Sequence, residues 1–153
     1  MRGDIMRVLK MAVVAAVMVL GCSAAQAQGE FGTAAEAKAM LEKAVAAVKA
    51  DKAGALALFT KGEGGFKDRD LYPFCGGPDG NFTAHPSLAG KSLKELKDKA
   101  GKALGEDIYA TAKEGQIGEV SYMWARPGNT DPVQKVSYVT KIGDQVCAVG
   151  YYK

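Results

Sequence analysis

The feature that most constrains the fold of this chain is a change in the period of its apolar residues. Before residue 50 they recur every three or four positions, which is typical of one face of a helix. They are Ala37, Met40, Leu41, Ala44, Val45 and Val48. Gly118–Arg126 and Gln134–Ile142 instead alternate apolar with polar residues, which is typical of strands. Gly143-Asp144 fits a two-residue turn into a third strand, Gln145–Tyr152, so the end of the chain predicts an antiparallel meander.

Capping residues mark the start of two N-terminal helices. Thr33 and Glu36 have the spacing of a capping box, in which each side chain binds a free backbone N–H of the first turn. We expect this helix to run to about Lys49. Asp51 is placed to cap a second, shorter helix that ends near Leu58.

The middle of the chain predicts a hairpin followed by another helix. Asp70–Cys75 is rich in aromatic residues, Gly76–Gly80 is dense in turn formers, and Asn81–Ala84 is placed to return as a second strand. Ser92–Glu95 resembles another capping box and predicts a helix over 96–113, which glycines weaken near residue 100. The whole order predicts an α+β fold, with helices packed on an antiparallel sheet of about five strands.

Residues 1–27 have the pattern of an export signal. Basic residues lie among the first ten positions, Met11–Leu20 carries no charge, and Ala25-Gln26-Ala27 is a small-x-small cleavage site. The apolar run is shorter than the roughly 18 residues that span a bilayer. We therefore expect cleavage after Ala27, a single domain over residues 28–153, and a periplasmic or secreted location in a bacterium.

The processing of this signal decides which cysteines the mature protein keeps. In one alternative Cys22 becomes the lipid-bearing N-terminus of a lipoprotein, although leucine is not the usual residue directly before Gly21 in such a signal. Cleavage after Ala27 instead leaves Cys75 and Cys147, and an even pair in an oxidising compartment predicts a disulfide. A metal or redox site is the weaker alternative, because the chain has no Cys-x-x-Cys motif and one histidine.

Charge and motif content exclude several classes of function. The 153 residues carry a net charge of +3, and residues 28–153 carry +1, so no strongly basic surface favours nucleic acid. A hydrolase built on His85 would need a nucleophile motif that the sequence lacks. Gly62–Gly65 lacks the lysine and hydroxyl residue of a phosphate loop. We therefore expect a protein that is not an enzyme and needs no metal or cofactor.

The order of short motifs after residue 65 resembles the single Cache domains, in particular the second single-Cache subfamily. These are extracytoplasmic sensor modules with a PAS-like fold. The segments that carry the resemblance are Phe66–Phe74, Asp79–Gly80, Ala84–Pro86, Leu88–Leu93, Leu96–Asp98, Gly101–Lys102, Gly118–Trp124, Lys135–Val139 and Val149–Tyr152. The cysteine pair does not belong to the general pattern of the family.

The resemblance implies a periplasmic binding module for a small molecule, such as a small carboxylate or related metabolite. Because these 153 residues hold no output domain, it implies a free binding protein, monomeric or homodimeric, or a partner of a membrane receptor or kinase on another chain. The alternatives are an accessory module for protein interaction with a vestigial pocket and, less favoured, a small hydrolase.

The resemblance also implies a pocket on one face of the sheet, below the helix and loop of residues 72–102. The residues that we expect around a ligand are Tyr72, His85, Tyr122, Trp124 and Tyr138, with Lys135 or Arg126 as the cation for a carboxylate. Strand periodicity places Tyr122 and Trp124 on one face but leaves open which face of the next strand joins them. The alternatives are that the aromatics are plain sheet core, that Lys135 is an edge-strand lysine, and that His85 is a structural residue.

Overall fold

The computed structural model describes residues 29–153 and contains one five-stranded antiparallel sheet with helices on both faces. The helices are α1 (Ala34–Ala50), α2 (Lys52–Lys61) and α3 (Leu104–Thr111), and the strands are β1 (Pro73–Gly76), β2 (Phe82–Ala84), β3 (Gly118–Ala125), β4 (Pro132–Ile142) and β5 (Gln145–Tyr152). The strand order is β2-β1-β5-β4-β3, and every neighbouring pair is antiparallel. The predicted α+β class and the five strands are confirmed.

The expectations for residues 1–27 and for Cys22 lie outside the described residues. Within residues 29–153, no helix has the length and apolar character needed to cross a membrane.

Both N-terminal helices begin at the predicted capping residues. The Thr33 hydroxyl accepts a hydrogen bond from the Glu36 N–H at 3.3 Å, and the Glu36 carboxylate accepts one from the Thr33 N–H at 2.8 Å. The Asp51 carboxylate accepts the Gly54 N–H at 3.1 Å. Gly62 ends α2 in the left-handed conformation, with φ 70°.

The third predicted helix is largely wrong, because only Leu104–Thr111 is helical. The Ser92 hydroxyl accepts the Glu95 N–H at 3.2 Å, as a cap would, but the chain forms only a turn there. The Asp98 carboxylate accepts the backbone N–H groups of Ala100 and Lys102, which are then not available for helical bonds. Side-chain capture of these donors keeps residues 96–103 out of the helix.

Close contact between chain segments also fixes where α3 begins. The Gly105 N–H donates to the Leu96 carbonyl at 2.9 Å, and a Cβ at position 105 would collide with the Leu93 carbonyl oxygen. Only glycine allows the two backbones to approach in this way.

We therefore expect Gly105→Ala to lower the free energy of unfolding by about 1–3 kcal/mol, the usual cost of overpacking. Urea unfolding followed by circular dichroism measures it. Gly29→Ala is the control, since its new methyl would meet only the Phe31 carbonyl oxygen at 3.8 Å. Equal urea midpoints for the two variants would contradict the close contact between Gly105 and the Leu93 carbonyl oxygen.

The sheet is buried on both faces, so alternate residues of each strand belong to two different cores. One core packs α1 and α2 against the first face, with Phe59 and Leu41 at its centre. The second core lies under α3 and the irregular segment 85–103. Tyr122 pairs with Lys135 across β3 and β4, so both side chains point to this second core.

The predicted disulfide is present between β1 and β5. Cys75 and Cys147 lie directly opposite each other in the register of the two strands, with their Cα atoms 4.1 Å apart. Both residues are fully buried in the core under α1 and α2.

Candidate ligand-binding site

A small cavity lies in the second core, between the sheet and the segment 85–103. Its volume is about 20 Å³, which is room for about one water molecule. Its walls are Tyr72, Phe74, Phe82, His85, Leu88, Leu96, Leu104, Ile108, Tyr122, Trp124 and Lys135. The structure thus brings together five of the seven side chains expected around a ligand, while the apolar wall residues were not predicted individually.

Lys135 supplies the only cationic group in the described wall of the cavity. It is 1% exposed, and its Nζ donates to the Tyr72 hydroxyl at 3.2 Å. The same Nζ lies 4.5 Å from the ring centre of Tyr72 and 4.8 Å from that of Tyr152. Among residues 29–153, no carboxylate lies within 4 Å of it. The site therefore holds a buried amine that forms no ion pair with a described carboxylate.

Burial dominates the protonation of this amine. Desolvation lowers the pKa of Lys135 to about 7, and the charge of Asp70 opposes that shift in part. The alternative that Lys135 protects a sheet edge is wrong, because β4 lies between β5 and β3.

The space for Lys135 comes from a glycine on the next strand. Gly150 pairs with Ser137 in the register of β4 and β5. A Cβ at position 150 would lie 2.5 Å from both the Lys135 Cε and the Ser137 Oγ. Sequence reasoning missed Gly150, although a glycine inside a predicted strand is a known signal of close approach.

His85 is buried and has a structural role through one ring nitrogen. Its Nδ1 accepts the N–H groups of Ser87 at 3.0 Å and Leu88 at 3.1 Å. Burial, with a contribution from Lys135, lowers the pKa of His85 to about 4, so the ring is neutral at pH 7. With Nδ1 as acceptor, the proton of the neutral ring is on Nε2, which can donate to a ligand.

The arrangement of His85 does not make a hydrolase. The Ser87 hydroxyl oxygen lies 3.5 Å from the Nδ1 of His85, but this nitrogen already accepts two backbone N–H groups. It is therefore not free to take the serine proton.

Two tyrosine hydroxyls complete the polar part of the site. The Tyr122 and Ser137 hydroxyl oxygens lie 2.8 Å apart and share a hydrogen bond. Burial raises the pKa of Tyr72 to about 12 and raises that of Tyr122 as well. Both phenols are therefore neutral at pH 7 and able to donate hydrogen bonds.

Arg126 and Tyr138, the other two predicted residues, lie away from the cavity wall. Arg126 forms an ion pair with Asp70, with 3.5 Å between Nε and Oδ2, and its guanidinium covers the ring of Phe31 at 4.2 Å. Tyr138 lies on the opposite face of the sheet, where its ring centre is 5.9 Å from that of Tyr151. Of the two cations considered for a carboxylate, only Lys135 lines the cavity.

A larger cleft opens on the surface beside the cavity. Its volume is about 350 Å³, and it shares four wall residues with the cavity. These are Tyr72, His85, Leu88 and Trp124. The two spaces therefore share a wall made of these four residues.

Residues 29–153 contain no cluster of three histidine, cysteine or acidic side chains that could hold a metal ion.

Comparison with known families and proteins gives one consistent result. The family model described as a Cache domain matches residues 33–152. The methyl-accepting chemotaxis protein McpP of Pseudomonas putida is 36% identical over 56 residues, which are 37% of this chain and 10% of that protein. The similar region is thus about a tenth of the length of this curated relative.

Two solved structures resemble this one. The first is described as the periplasmic sensor domain of a chemotaxis protein, and it superposes with a TM-score of 0.58 at 25% identity, over 76% of this chain and 87% of the other. The second comes from work on carboxylic acid recognition by a Cache chemosensory domain, with a TM-score of 0.54 at 23% identity, over 76% and 85% of the two chains. At that identity the second likeness concerns the fold alone.

Proposed function

The chain belongs to the family of Cache domains, and from this we propose that it is a sensor module that binds a small carboxylate beside Lys135. Cache sensor domains are non-catalytic modules that bind ligands. The observation that carries the choice of ligand is the buried amine of Lys135, which has no carboxylate within 4 Å among the described residues. A ligand carboxylate would supply the missing charge.

The polar groups around Lys135 suit one carboxylate group. The Lys135 ammonium would pair with the anion, while the Nε2–H of His85 and the hydroxyl of Tyr72 would donate hydrogen bonds to its oxygens. The other wall residues are mostly apolar and would cover a short hydrocarbon chain. A cavity of about 20 Å³ must widen for any such ligand, so the proposal favours small acids over large ones.

A protein-interaction module with a vestigial pocket would explain the small cavity but not the amine. Burial of a lysine without an ion pair costs free energy, and an apolar side chain would fill the same space without that cost. The amine is therefore better explained by a ligand than by packing.

Two similar proteins support the choice of ligand and location. One similar structure belongs to a Cache chemosensory domain that recognises carboxylic acid, and another is a periplasmic sensor domain. We place this domain in the periplasm as well, with residues 1–27 as its cleaved export signal. The disulfide is consistent with an oxidising compartment.

A panel of ligands tests the proposal. Acetate, propionate and butyrate would be compared with acetamide, propionamide and butyramide in thermal unfolding, since the amides keep the shape and lack the charge. A ligand at 100 times its dissociation constant stabilises the folded state by about 2.7 kcal/mol. If no acid at millimolar concentration raises the unfolding temperature more than its amide does, the proposal fails.

The pKa of Lys135 predicts how binding depends on pH. Below about pH 7 the free protein already holds the ammonium, so affinity should be constant there. Above pH 7 the amine must take up a proton to bind the anion, so affinity should fall by up to about tenfold per pH unit. His85 is already neutral, and the tyrosines that face the site are protonated, so these groups do not change charge between pH 6 and 9.

Isothermal titration calorimetry between pH 6 and 9 measures this dependence. Two buffers with different ionisation heats at pH 8 should reveal uptake of nearly one proton per carboxylate bound. A constant affinity across the range would mean that the amine of Lys135 does not pair with the ligand.

A further inference from the structure

One residue of the wall between the cavity and the surface cleft, Trp124, lies on the edge strand to which an irregular segment is bonded. This segment, residues 96–102, lies beside β3, which is the last strand of the sheet. The Lys99 N–H donates to the Met123 carbonyl at 3.1 Å. In return, the Met123 N–H donates to the Asp98 carboxylate at 2.9 Å. The segment is thus bonded to the edge strand in both directions.

Asp98 makes this attachment through a single buried carboxylate. The residue is 7% exposed. Its Oδ2 accepts the Met123 N–H, while its Oδ1 accepts the N–H groups of Ala100 at 2.9 Å and Lys102 at 2.8 Å. One carboxylate therefore shapes the segment and joins it to β3. The Lys102 Nζ adds a separate bond to the Ser121 carbonyl at 2.9 Å.

The side chain that this attachment positions is Trp124. It follows Met123 in β3 and lines both the cavity and the cleft. The Nζ of Lys99 lies 5.5 Å from the ring centre of Trp124, within the range of a cation–π contact. Leu96, at the other end of the segment, lines the cavity as well. The docked segment therefore holds two of the cavity walls in place.

We propose that Asp98 is the positioning residue that keeps Trp124 closed over the cavity and so sets the rate at which ligand enters and leaves. The inference rests on the proposed function, because it concerns access to the same cavity. A cavity of about 20 Å³ beside a cleft of about 350 Å³ requires a wall to move for a carboxylate to pass. The wall that faces both spaces includes Trp124.

Asp98→Asn is the sharpest test of this role. If the oxygen of the new amide side chain keeps the bonds to Ala100 and Lys102, its NH₂ group faces the Met123 N–H, and two donors repel each other. The substitution therefore weakens the link to β3 while the shape of the side chain stays the same. We expect association and dissociation rates to rise by about tenfold, as for the loss of one hydrogen bond to a charged group, with a smaller change in the dissociation constant.

Stopped-flow fluorescence with sodium acetate and sodium propionate measures these rates. Trp124 is the only tryptophan of the chain, so it reports the wall directly. Asp79→Asn is the matched control, because Asp79 also holds a turn through its carboxylate, at Asn81, but lies in another loop. Ligand exchange at the wild-type rate in the Asp98 variant would overturn the proposal.

A second measurement needs no ligand. Acrylamide should quench Trp124 at least about twofold faster in Asp98→Asn than in the wild type, because the loss of a buried hydrogen bond shifts the opening equilibrium. If the wild-type protein binds no carboxylate but this quenching still rises, the proposed function fails and the role of Asp98 stands. Unchanged quenching contradicts the role of Asp98, whether or not the protein binds a carboxylate.

Lys99→Ala covers the case in which Asp98→Asn does not fold. It removes the cation–π contact with Trp124 and keeps the carboxylate attachment. Lys97→Ala, an exposed lysine two residues away, is its control. We expect faster acrylamide quenching of Trp124 only for the variant at position 99. Equal quenching in the two lysine variants would contradict the role of this segment in holding Trp124 over the cavity.

Discussion

Lys135→Met is expected to abolish carboxylate binding and, at the same time, to make the ligand-free protein more stable. Methionine matches the unbranched shape of the lysine stem but carries no charge. The amine is buried, and no described carboxylate lies within 4 Å of it, so its loss removes both the proposed binding charge and its desolvation cost. Loss of binding with a gain in stability separates a functional residue from one that merely supports the fold.

The gain in stability should itself depend on pH. Folding lowers the pKa of Lys135 from 10.5 to about 7, so the cost of its burial is fully present below pH 7 and disappears as pH rises towards 10.5. We expect Lys135→Met to exceed the wild type by about 2–4 kcal/mol at pH 6 and by much less at pH 10.

Urea unfolding at both pH values, with calorimetry of acetate and propionate, tests the pair of effects. Lys141→Met is the matched control, because Lys141 is an exposed lysine on the same strand. A Lys135→Met protein that binds acids as tightly as the wild type would refute the proposed site. One that is less stable at pH 6 would show that the amine has a structural partner.

Removal of the disulfide should have the second large effect. Cys75→Ala with Cys147→Ala opens a loop that spans 72 residues of sequence. The entropy of the unfolded chain then rises, which lowers the free energy of unfolding by about 4 kcal/mol in the loop-closure description. Because both residues are buried at the centre of the α1 and α2 core, reductant should reach the wild-type bond only when the protein opens.

Chemical denaturation of the double variant, compared with the wild type with and without reductant, gives the measurement. The wild type unfolded in reductant should approach the midpoint of the double variant, while the variant itself should not respond to reductant. If the double variant loses less than about 1 kcal/mol of unfolding free energy, the pairing of β1 with β5 does not depend on the disulfide.

Local signals were sufficient to predict much of the fold. The caps at Thr33 and Asp51 form the predicted hydrogen bonds, because a cap depends on residues three positions apart. Strand alternation over Gln134–Ile142 and the turn at Gly143 also placed β4 and β5 correctly. These features involve neighbours in sequence, which a single chain reveals directly.

The segment 96–103 could not be predicted for the opposite reason. The spacing of its apolar residues favours a helix, and Ser92 even forms the first capping bond. The competing partner is Met123, which is 25 residues from Asp98 in sequence. The spacing of apolar residues could not show that a strand so far along the chain would donate a hydrogen bond to the Asp98 carboxylate.

The site was predictable in its residue types and uncertain in its geometry. Period-two alternation placed Tyr122 with Trp124, but it could not decide which face of β4 would meet them. Register decided it, because Tyr122 pairs with Lys135 and Tyr138 then points to the opposite core. The positions of Arg126 and Tyr138 outside the cavity wall follow from contacts that only the folded chain creates.

Gly150 has a consequence for how this site is inherited. The space that it leaves is occupied by the stem of Lys135 from the neighbouring strand, so the amine proposed to bind the ligand depends on two positions that lie 15 residues apart in sequence. A side chain at position 150 would displace the Lys135 stem from this space, so the lysine would no longer be retained for its place in the cavity. Across related sequences, the glycine and the lysine should therefore be gained and lost together.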